Sequence, residues 1–310
     1  MPAEELYKMI NIYIGNDKIK ILETNVSKRK VVVKNFFAIT SPNDYIDNPD
    51  NKSFKELSQV IKDGIQEMQP KGKKIRVILD SNTIPYREMV LPPMPPMKML
   101  TLIKNEIFTD EKLASTNTVD YVEADKKVDE QKRSKFFVTY VANAVLQDIE
   151  NLIEKDMGFK LLSIDVAQNS VSKLISRMKN LKDQFVLIDY KDTSVTVYLF
   201  AYGKHVCSVS KPVISEPNPQ FQNERVYFIN EMSGIILDTA AFFKERYEGV
   251  DFDTVYVTGD VDKLDVCRDF IANKVEYKIE DLPLATFVED MDEAEFNQFS
   301  NTLGGVFREG

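Results

Sequence analysis

One order of secondary-structure patterns occurs twice in the chain, and this repetition is the strongest constraint on its fold. Apolar residues alternate in three runs between residues 10 and 39, and a helical pattern and a fourth strand pattern follow by residue 80. Three strands, a long amphipathic helix and a further strand return between residues 185 and 259. The repetition predicts a duplicated α/β architecture. The alternative is an accidental likeness, because β-β-β-α patterns are common.

The first copy begins with a predicted hairpin. Ile10, Ile12 and Ile14 alternate before the turn sequence Gly15-Asn16-Asp17, which is typical of hairpin connections. Ser53 and Glu56 have the spacing of a capping box, so we expect a helix to begin at Ser53.

The segment between the two copies has a different pattern. A strand at 84–90, a connector with four prolines, a helix, two strands, a helix ended by Gly158 and a last strand at 161–166 give the order β-α-β-β-α-β. We therefore predict a first domain at 9–82 completed by 167–182, an inserted subdomain at 83–166 and a second domain at 183–310. Residues 1–8 are interpreted as a leader.

Composition limits the class of protein. Forty basic and 49 acidic side chains give a net charge of −9, which disfavours a general surface for nucleic acid or anionic membrane. No apolar run approaches the roughly 18 residues of a membrane-spanning helix. Cys207 and Cys267 are expected to be reduced thiols rather than a disulfide. A soluble, cytoplasmic protein is the expectation.

Eleven glycines in 310 residues are too few and too scattered for the common nucleotide motifs. Neither GxGxxG nor GxxxxGK[ST] occurs, which excludes the standard dinucleotide and P-loop sites. His205 and Cys207 are spaced to share one face of a strand, where we expect packing rather than a metal site. The acidic run at 289–295 is expected to form a loop and the first turn of a helix.

A local motif accompanies this order of elements. Arg87 is followed by an apolar strand, the sequence Leu91-Pro92-Pro93-Met94-Pro95 and a helix that carries Glu106. In these features the chain resembles the PilM family, the actin-like assembly proteins of type IV pili, which are similar to the cell-division protein FtsA. The resemblance implies an α/β, actin-like ATPase (ribonuclease H-like) duplicated fold with an inserted 1C-like (SHS2-like) subdomain.

The resemblance also implies partners and a location. It implies a cytoplasmic scaffold at the inner face of the membrane that binds the cytoplasmic tail of a PilN-like bitopic protein and couples it to the pilus motor ATPases. The tail would lie in a groove between the first domain and the inserted subdomain. Pro92, Pro93, Met94 and Pro95 are then candidates for the groove wall. Alternatively, they form a rigid turn that needs no ligand, since proline fixes the backbone and ends a strand.

An actin-like nucleotide site would use three turns of this sequence. Gly15 and Lys20 match in the first, but Tyr13 replaces the expected acid. Asp189 matches in the second, but Lys191 replaces a glycine. Gly259 matches in the third, whereas the next two glycine positions hold Asp260 and Val261.

These replacements predict a weakened or lost site for ATP and Mg²⁺, because a carboxylate and three bare backbone positions are missing. The expectation is therefore a non-catalytic scaffold with a degenerate ATP-binding site and no bound cofactor. Three alternatives remain open: an ATP-binding ATPase or sugar-kinase relative, an FtsA-like filament former, and the cytoplasmic module of a type II secretion platform.

Overall fold

The computed structural model describes residues 7–126, 128–214, 218, 220–260, 265 and 267–307. Within these residues the chain divides into two compact units. Unit 1 comprises residues 7–11 and 22–36 and the described residues from 167 to 307, and unit 2 comprises residues 12–21 and 37–166. The predicted domain boundaries stay predictions.

The regular elements are numbered along the chain. The strands are β1 Tyr7–Ile14, β2 Lys18–Val26, β3 Val31–Thr40, β4 Lys74–Leu79, β5 Tyr86–Leu91, β6 Asn117–Asp125, β7 Ser134–Ala142, β8 Lys160–Val166, β9 Gln184–Tyr190, β10 Ser194–Ala201, β11 Lys204–Pro212, β12 Thr254–Gly259, β13 Lys278–Asp281 and β14 Val288–Glu289. The helices are α1 Asn51–Met68, α2 Pro96–Ile107, α3 Glu111–Thr116, α4 Asn143–Glu150 with a π-helical turn Asn151–Asp156, α5 Ala167–Ile175, α6 Gln222–Arg246, α7 Arg268–Val275 and α8 Glu293–Gly304.

Three sheets organise these strands. Their orders are β14-β3-β2-β1-β4-β8, β11-β10-β9-β12-β13 and β5-β7-β6. Both predicted β-β-β-α-β patterns are present, so the duplicated architecture is confirmed. β1 begins at Tyr7, so two residues of the predicted leader belong to a strand. Residues 1–6 lie outside the described residues, and the leader stays a prediction for them.

Unit 1 contains the five-stranded sheet of the second copy. β9, β10 and β11 form an antiparallel meander, and β12 lies parallel to both β9 and β13. Residues of β9, β10 and β12 pack against one side of α6 through Phe228, Met232 and Phe243, which are almost wholly buried. The alternating pattern of the strands and the helical spacing in α6 therefore meet in one core.

Unit 2 contains the inserted three-stranded sheet, in which β7 pairs antiparallel with both β5 and β6. α2 packs through Met99 and Ile103 on a core that includes Leu91, Phe136 and Val138. β8 does not join this sheet. It pairs in parallel with β4 instead, so the predicted order of elements is present but its last strand belongs to the six-stranded sheet. Its apolar run fits either sheet, and the sequence pattern does not identify its neighbour.

The N-termini of two helices test the predicted caps. α1 begins after Asp50, whose carboxylate accepts hydrogen bonds from the backbone of Lys52 and Ser53. The predicted capping box of Ser53 and Glu56 is therefore wrong, because Asp50 occupies the cap three residues earlier. The acidic run behaves as predicted: Asp292 caps α8 and forms a capping box with Glu295.

α6 is the one helix among the described residues that is long and apolar enough to cross a membrane by length and composition. Half of its most apolar stretch is buried inside the protein, as in a core helix that meets the same criterion.

Gly234 lies inside α6, and a Cβ built on it meets no atom within 4 Å. We expect Gly234→Ala to raise the free energy of unfolding by about 1 kcal/mol, because alanine loses less backbone entropy in a helix. Urea unfolding measures the change. Gly64→Ala in α1 is the matched control, since its Cβ would lie 2.9 Å from Ile21 Cδ1 and 3.1 Å from Phe37 Cε1. An equal gain in both variants would contradict the assignment of open space at Gly234.

Candidate functional site

The residues predicted to line a nucleotide cleft belong to different units. Gly15 and Lys20 lie in the first hairpin, in unit 2, and Asp189 and Gly259 lie at strand ends in unit 1. Each group is therefore described within its own unit.

The hairpin between β1 and β2 is closed by Gly15, whose N–H donates to the carbonyl of Lys18 at 2.9 Å. The side chain of Tyr13 folds over this glycine. A Cβ on Gly15 would lie 2.8 Å from Tyr13 Oη and 2.9 Å from Asp17 Oδ1. Gly15 is thus required by a contact within the protein, because any larger residue would collide with the Tyr13 side chain.

Tyr13 stands where the nucleotide-site pattern has an acid, but the carboxylate of Asp80 lies beside the Tyr13 hydroxyl group. Tyr13 Oη donates to Asp80 Oδ2 at 2.6 Å, and the Asp80 N–H donates to the carbonyl of Ile14. Asp80 directly follows β4, and all three side chains of the group Tyr13, Lys20 and Asp80 are buried. Lys20 Nζ lies 5.2 Å from the centroid of the Tyr13 ring. Sequence reasoning missed Asp80, whose position after a buried strand is the only local signal.

In unit 1, Asp189 lies near the end of β9 and is wholly buried. The ammonium group of Lys191 is 3.9 Å from Asp189 Oδ2 and 3.4 Å from the hydroxyl of Thr196. Thr196 Oγ1 in turn lies 3.0 Å from Ser210 Oγ. Lys191 thus brings a positive charge beside the one predicted acid of this turn, and a buried charge of either sign needs such compensation.

Gly259 ends β12 beside β9, with Thr258 opposite Asp189 and Gly259 opposite Tyr190. Its φ is +91°, and a Cβ would lie 2.1 Å from the Tyr190 carbonyl oxygen and 2.8 Å from Asp189 Oδ1. Only glycine fits here, both for conformation and for space. The structure thus brings the two predicted residues Asp189 and Gly259 together.

The residues after Gly259 continue this turn. Asp260 is largely buried, and its N–H donates to the Tyr190 carbonyl at 2.9 Å. The predicted replacement at Val261 lies outside the described residues. The carboxyl ends of β9 and β12, which are parallel neighbours, therefore carry Asp189, Lys191 and Asp260. Ligands of open α/β sheets bind at this kind of edge.

The four-proline connector joins β5 to α2 in unit 2. Pro92, Pro93 and Pro95 are exposed, whereas Met94 packs partly on the core of the inserted sheet. Pro95 has φ −58° and ψ 145°, the polyproline conformation, and Pro96 begins α2. Exposed proline rings in an extended segment can bind a peptide, and the same geometry also forms a rigid turn.

His205 and Cys207 do not share a face of β11, so that prediction is wrong. Cys207 lies opposite Leu199 and His205 lies opposite Phe200, with a β-bulge between the two pairs. Cys207 packs in the unit 1 core, and the His205 ring lies 5.3 Å from that of Phe200 on the other face. The bulge inserts a residue, and this breaks the alternation on which the prediction rests.

Cys207 and Cys267 are not joined by a disulfide, as predicted, and both are buried. Burial raises the pKa of the Cys267 thiol, and Arg225 partly opposes this effect. The neutral thiol is therefore favoured at Cys267.

No family model and no curated protein matches the chain. A solved structure described as a PilM-PilN type IV pilus biogenesis complex has a chain that is 15% identical, with a TM-score of 0.79 over 97% of this chain and 99% of that one. The chain has the actin-like fold. A Bacteroides thetaiotaomicron protein with an actin-like ATPase fold is 8% identical, with a TM-score of 0.54 over 88% and 90% of the chains.

The cytoplasmic domain of EpsL, an inner-membrane component of the Vibrio cholerae type II secretion system, is also similar. It is 9% identical, with a TM-score of 0.51 over 96% of this chain and 94% of that one. At these identities the likeness establishes the fold, which unrelated functions share.

We expect Gly259→Ala to lower the free energy of unfolding by roughly 3 kcal/mol or more, because the methyl group overlaps the Tyr190 carbonyl and the backbone is left-handed. Gly249→Ala is the control. Gly249 has φ +75°, but its Cβ would meet nothing within 4 Å, so only the conformational cost of about 1–2 kcal/mol applies. Equal losses in urea unfolding would show that the close approach to β9 contributes nothing.

Proposed function

We propose that the protein is a cytoplasmic scaffold of a type IV pilus inner-membrane assembly platform and that it binds the cytoplasmic tail of a PilN-like partner. The observation that carries this proposal is the similarity to a chain of the PilM-PilN complex, which extends over nearly all of both chains. The likeness to EpsL, at a TM-score of 0.51, is weaker and supports a secretion-system role less well.

Location at the membrane would follow from the partner. A scaffold that holds the tail of a bitopic protein lies at the cytoplasmic face without a span of its own, and pilus motor ATPases are then its second class of partner. α6 is half-buried in the protein along its most apolar stretch, which is compatible with a role as a core helix in this arrangement.

We propose further that the protein does not hydrolyse ATP. A hydrated Mg²⁺ needs carboxylate oxygens that face the ligand. Two acids near the expected positions are engaged within the fold, since Asp80 accepts a hydrogen bond from the Tyr13 hydroxyl and Asp189 lies beside the Lys191 ammonium. Those two carboxylates are therefore less available to a magnesium ion, which supports the proposal. The likeness to ATPases concerns the fold and does not favour the catalytic alternative.

The exposed connector is the proposed wall of the tail groove. Pro92, Pro93 and Pro95 present rigid apolar rings that lose little entropy on binding, and Met94 adds an adaptable side chain beside them. An extended peptide is the ligand that such a surface fits best.

The first test measures binding of a fluorescent peptide with the N-terminal cytoplasmic sequence of the neighbouring PilN-like protein. We expect the intact chain to bind it, and the variant Pro92→Ala, Pro93→Ala, Pro95→Ala to bind at least fivefold more weakly, because ring contacts and preorganisation are lost.

Pro42→Ala, at another exposed proline, is the control and should bind like the intact chain. The scaffold proposal fails if no such tail is retained, and the assignment of the connector alone fails if the triple variant binds normally.

The second test is calorimetric titration with Mg-ATP, together with a phosphate-release assay. We expect a Kd weaker than roughly 1 mM and no release above the protein-free rate. Tail binding by the same preparation shows that the protein is folded. Micromolar ATP affinity, or phosphate release that Asp189→Asn abolishes, would overturn the non-catalytic proposal.

A further inference from the structure

Exposed lysines gather at one end of unit 2. They come from the turn before β4, from the first residue of β4, from the π-helical turn and from the first residue of β8: Lys71, Lys73, Lys74, Lys155 and Lys160. This group is called the lysine end.

The pairing of β4 with β8 brings these distant segments together. The two strands are parallel and start side by side, with Lys74 opposite Lys160. The Lys160 N–H donates to the carbonyl of Lys73 at 3.0 Å. The Lys73 ammonium group lies 4.9 Å from the centroid of the half-buried Phe159 ring. Residues about 85 positions apart thus form one surface.

The acids on the neighbouring turn do not cancel this charge. Asp156 lies 2.9 Å from the ammonium group of Lys62, a sixth lysine on α1. Glu154 accepts the N–H of Leu161 at 3.1 Å. Each of these two carboxylates keeps one negative charge, so the five exposed lysines outnumber the acids of the π-helical turn. The overall net charge of −9 hides a local excess of positive charge.

We propose that the lysine end binds the anionic headgroups of a phospholipid membrane. Lysine is a compact charge on a flexible stem, which suits a diffuse layer of phosphates and lacks the bidentate geometry of arginine. Phe159 places an apolar ring among these charges, and phenylalanine is one of the residue types that insert at the boundary between headgroups and acyl chains.

The composition of the surface favours lipid over nucleic acid. Single-stranded nucleic acid is bound by aromatic side chains on which several bases stack. The lysine end offers one ring, and the Lys73 ammonium group already lies near it.

This contact goes beyond the proposed function, because it needs no partner tail. A few lysines give weak, salt-sensitive attraction, and stable attachment to a membrane usually takes two signals. The lysine end would supply the second signal and would orient unit 2 toward the bilayer.

The test is co-sedimentation of the full chain alone with vesicles of phosphatidylcholine or of phosphatidylcholine with 40% phosphatidylglycerol. We expect binding only to the anionic vesicles, and its loss when NaCl is raised from 50 to 500 mM. Lys73→Gln, Lys155→Gln, Lys160→Gln should lower the partition coefficient at least tenfold, since each lysine near the surface contributes about fivefold.

The control is Lys28→Gln, Lys55→Gln, Lys112→Gln, which removes the same charge from exposed lysines elsewhere and should bind as the intact chain does. The variant Lys73→Arg, Lys155→Arg, Lys160→Arg should retain binding. Absence of binding to anionic vesicles, equal losses in both glutamine variants, or equally tight binding of duplex DNA would each overturn the proposal. Binding of the tail peptide by the glutamine variant of the lysine end is measured separately. Retained peptide binding shows that the scaffold proposal holds even where the membrane proposal fails.

Discussion

The parallel pairing of β9 with β12 is the contact on which the second half of the molecule depends. β9 is buried along its length from Phe185 to Tyr190 and forms hydrogen bonds with strands on both sides. The pair holds α6 in the core and brings two turns together at its carboxyl end. Gly259 permits this approach, because a side chain there would occupy the space of the Tyr190 carbonyl group. The same contact therefore defines both the fold of unit 1 and the position of its polar site.

Much of the fold could be predicted from local pattern, because alternation and helical spacing report which face of an element is buried. Three features that could not be predicted share one cause. The neighbour of β8, the carboxylate beside Tyr13 and the bulge beside His205 each depend on residues that are distant or offset by one position. Asp50 is a different case, since its capping role was visible locally but competed with a second plausible cap. Periodicity identifies elements and does not specify their partners.

The two polar groups show how a fold stabilises charged residues that it buries. A carboxylate buried alone is costly, so Asp80 has a hydroxyl donor in Tyr13 and Asp189 has a nearby ammonium group in Lys191. Each arrangement stabilises the charge inside the protein. An oxygen that takes part in such a contact is less available to a ligand. Stabilisation of a buried carboxylate and coordination of a metal ion therefore compete for the same oxygens.

Glycine illustrates why matched motif positions are weak evidence of function. Gly15 and Gly259 fit the pattern of a phosphate-binding fold, yet each is required by an internal contact, with the Tyr13 side chain or with the Tyr190 carbonyl. Their presence would be the same whether or not a ligand ever bound. The informative positions are those where the pattern fails, because Lys191 and Asp260 add side chains where bare backbone would serve a nucleotide. The proposal of a weakened nucleotide site therefore depends on the replaced positions rather than on the glycines that remain.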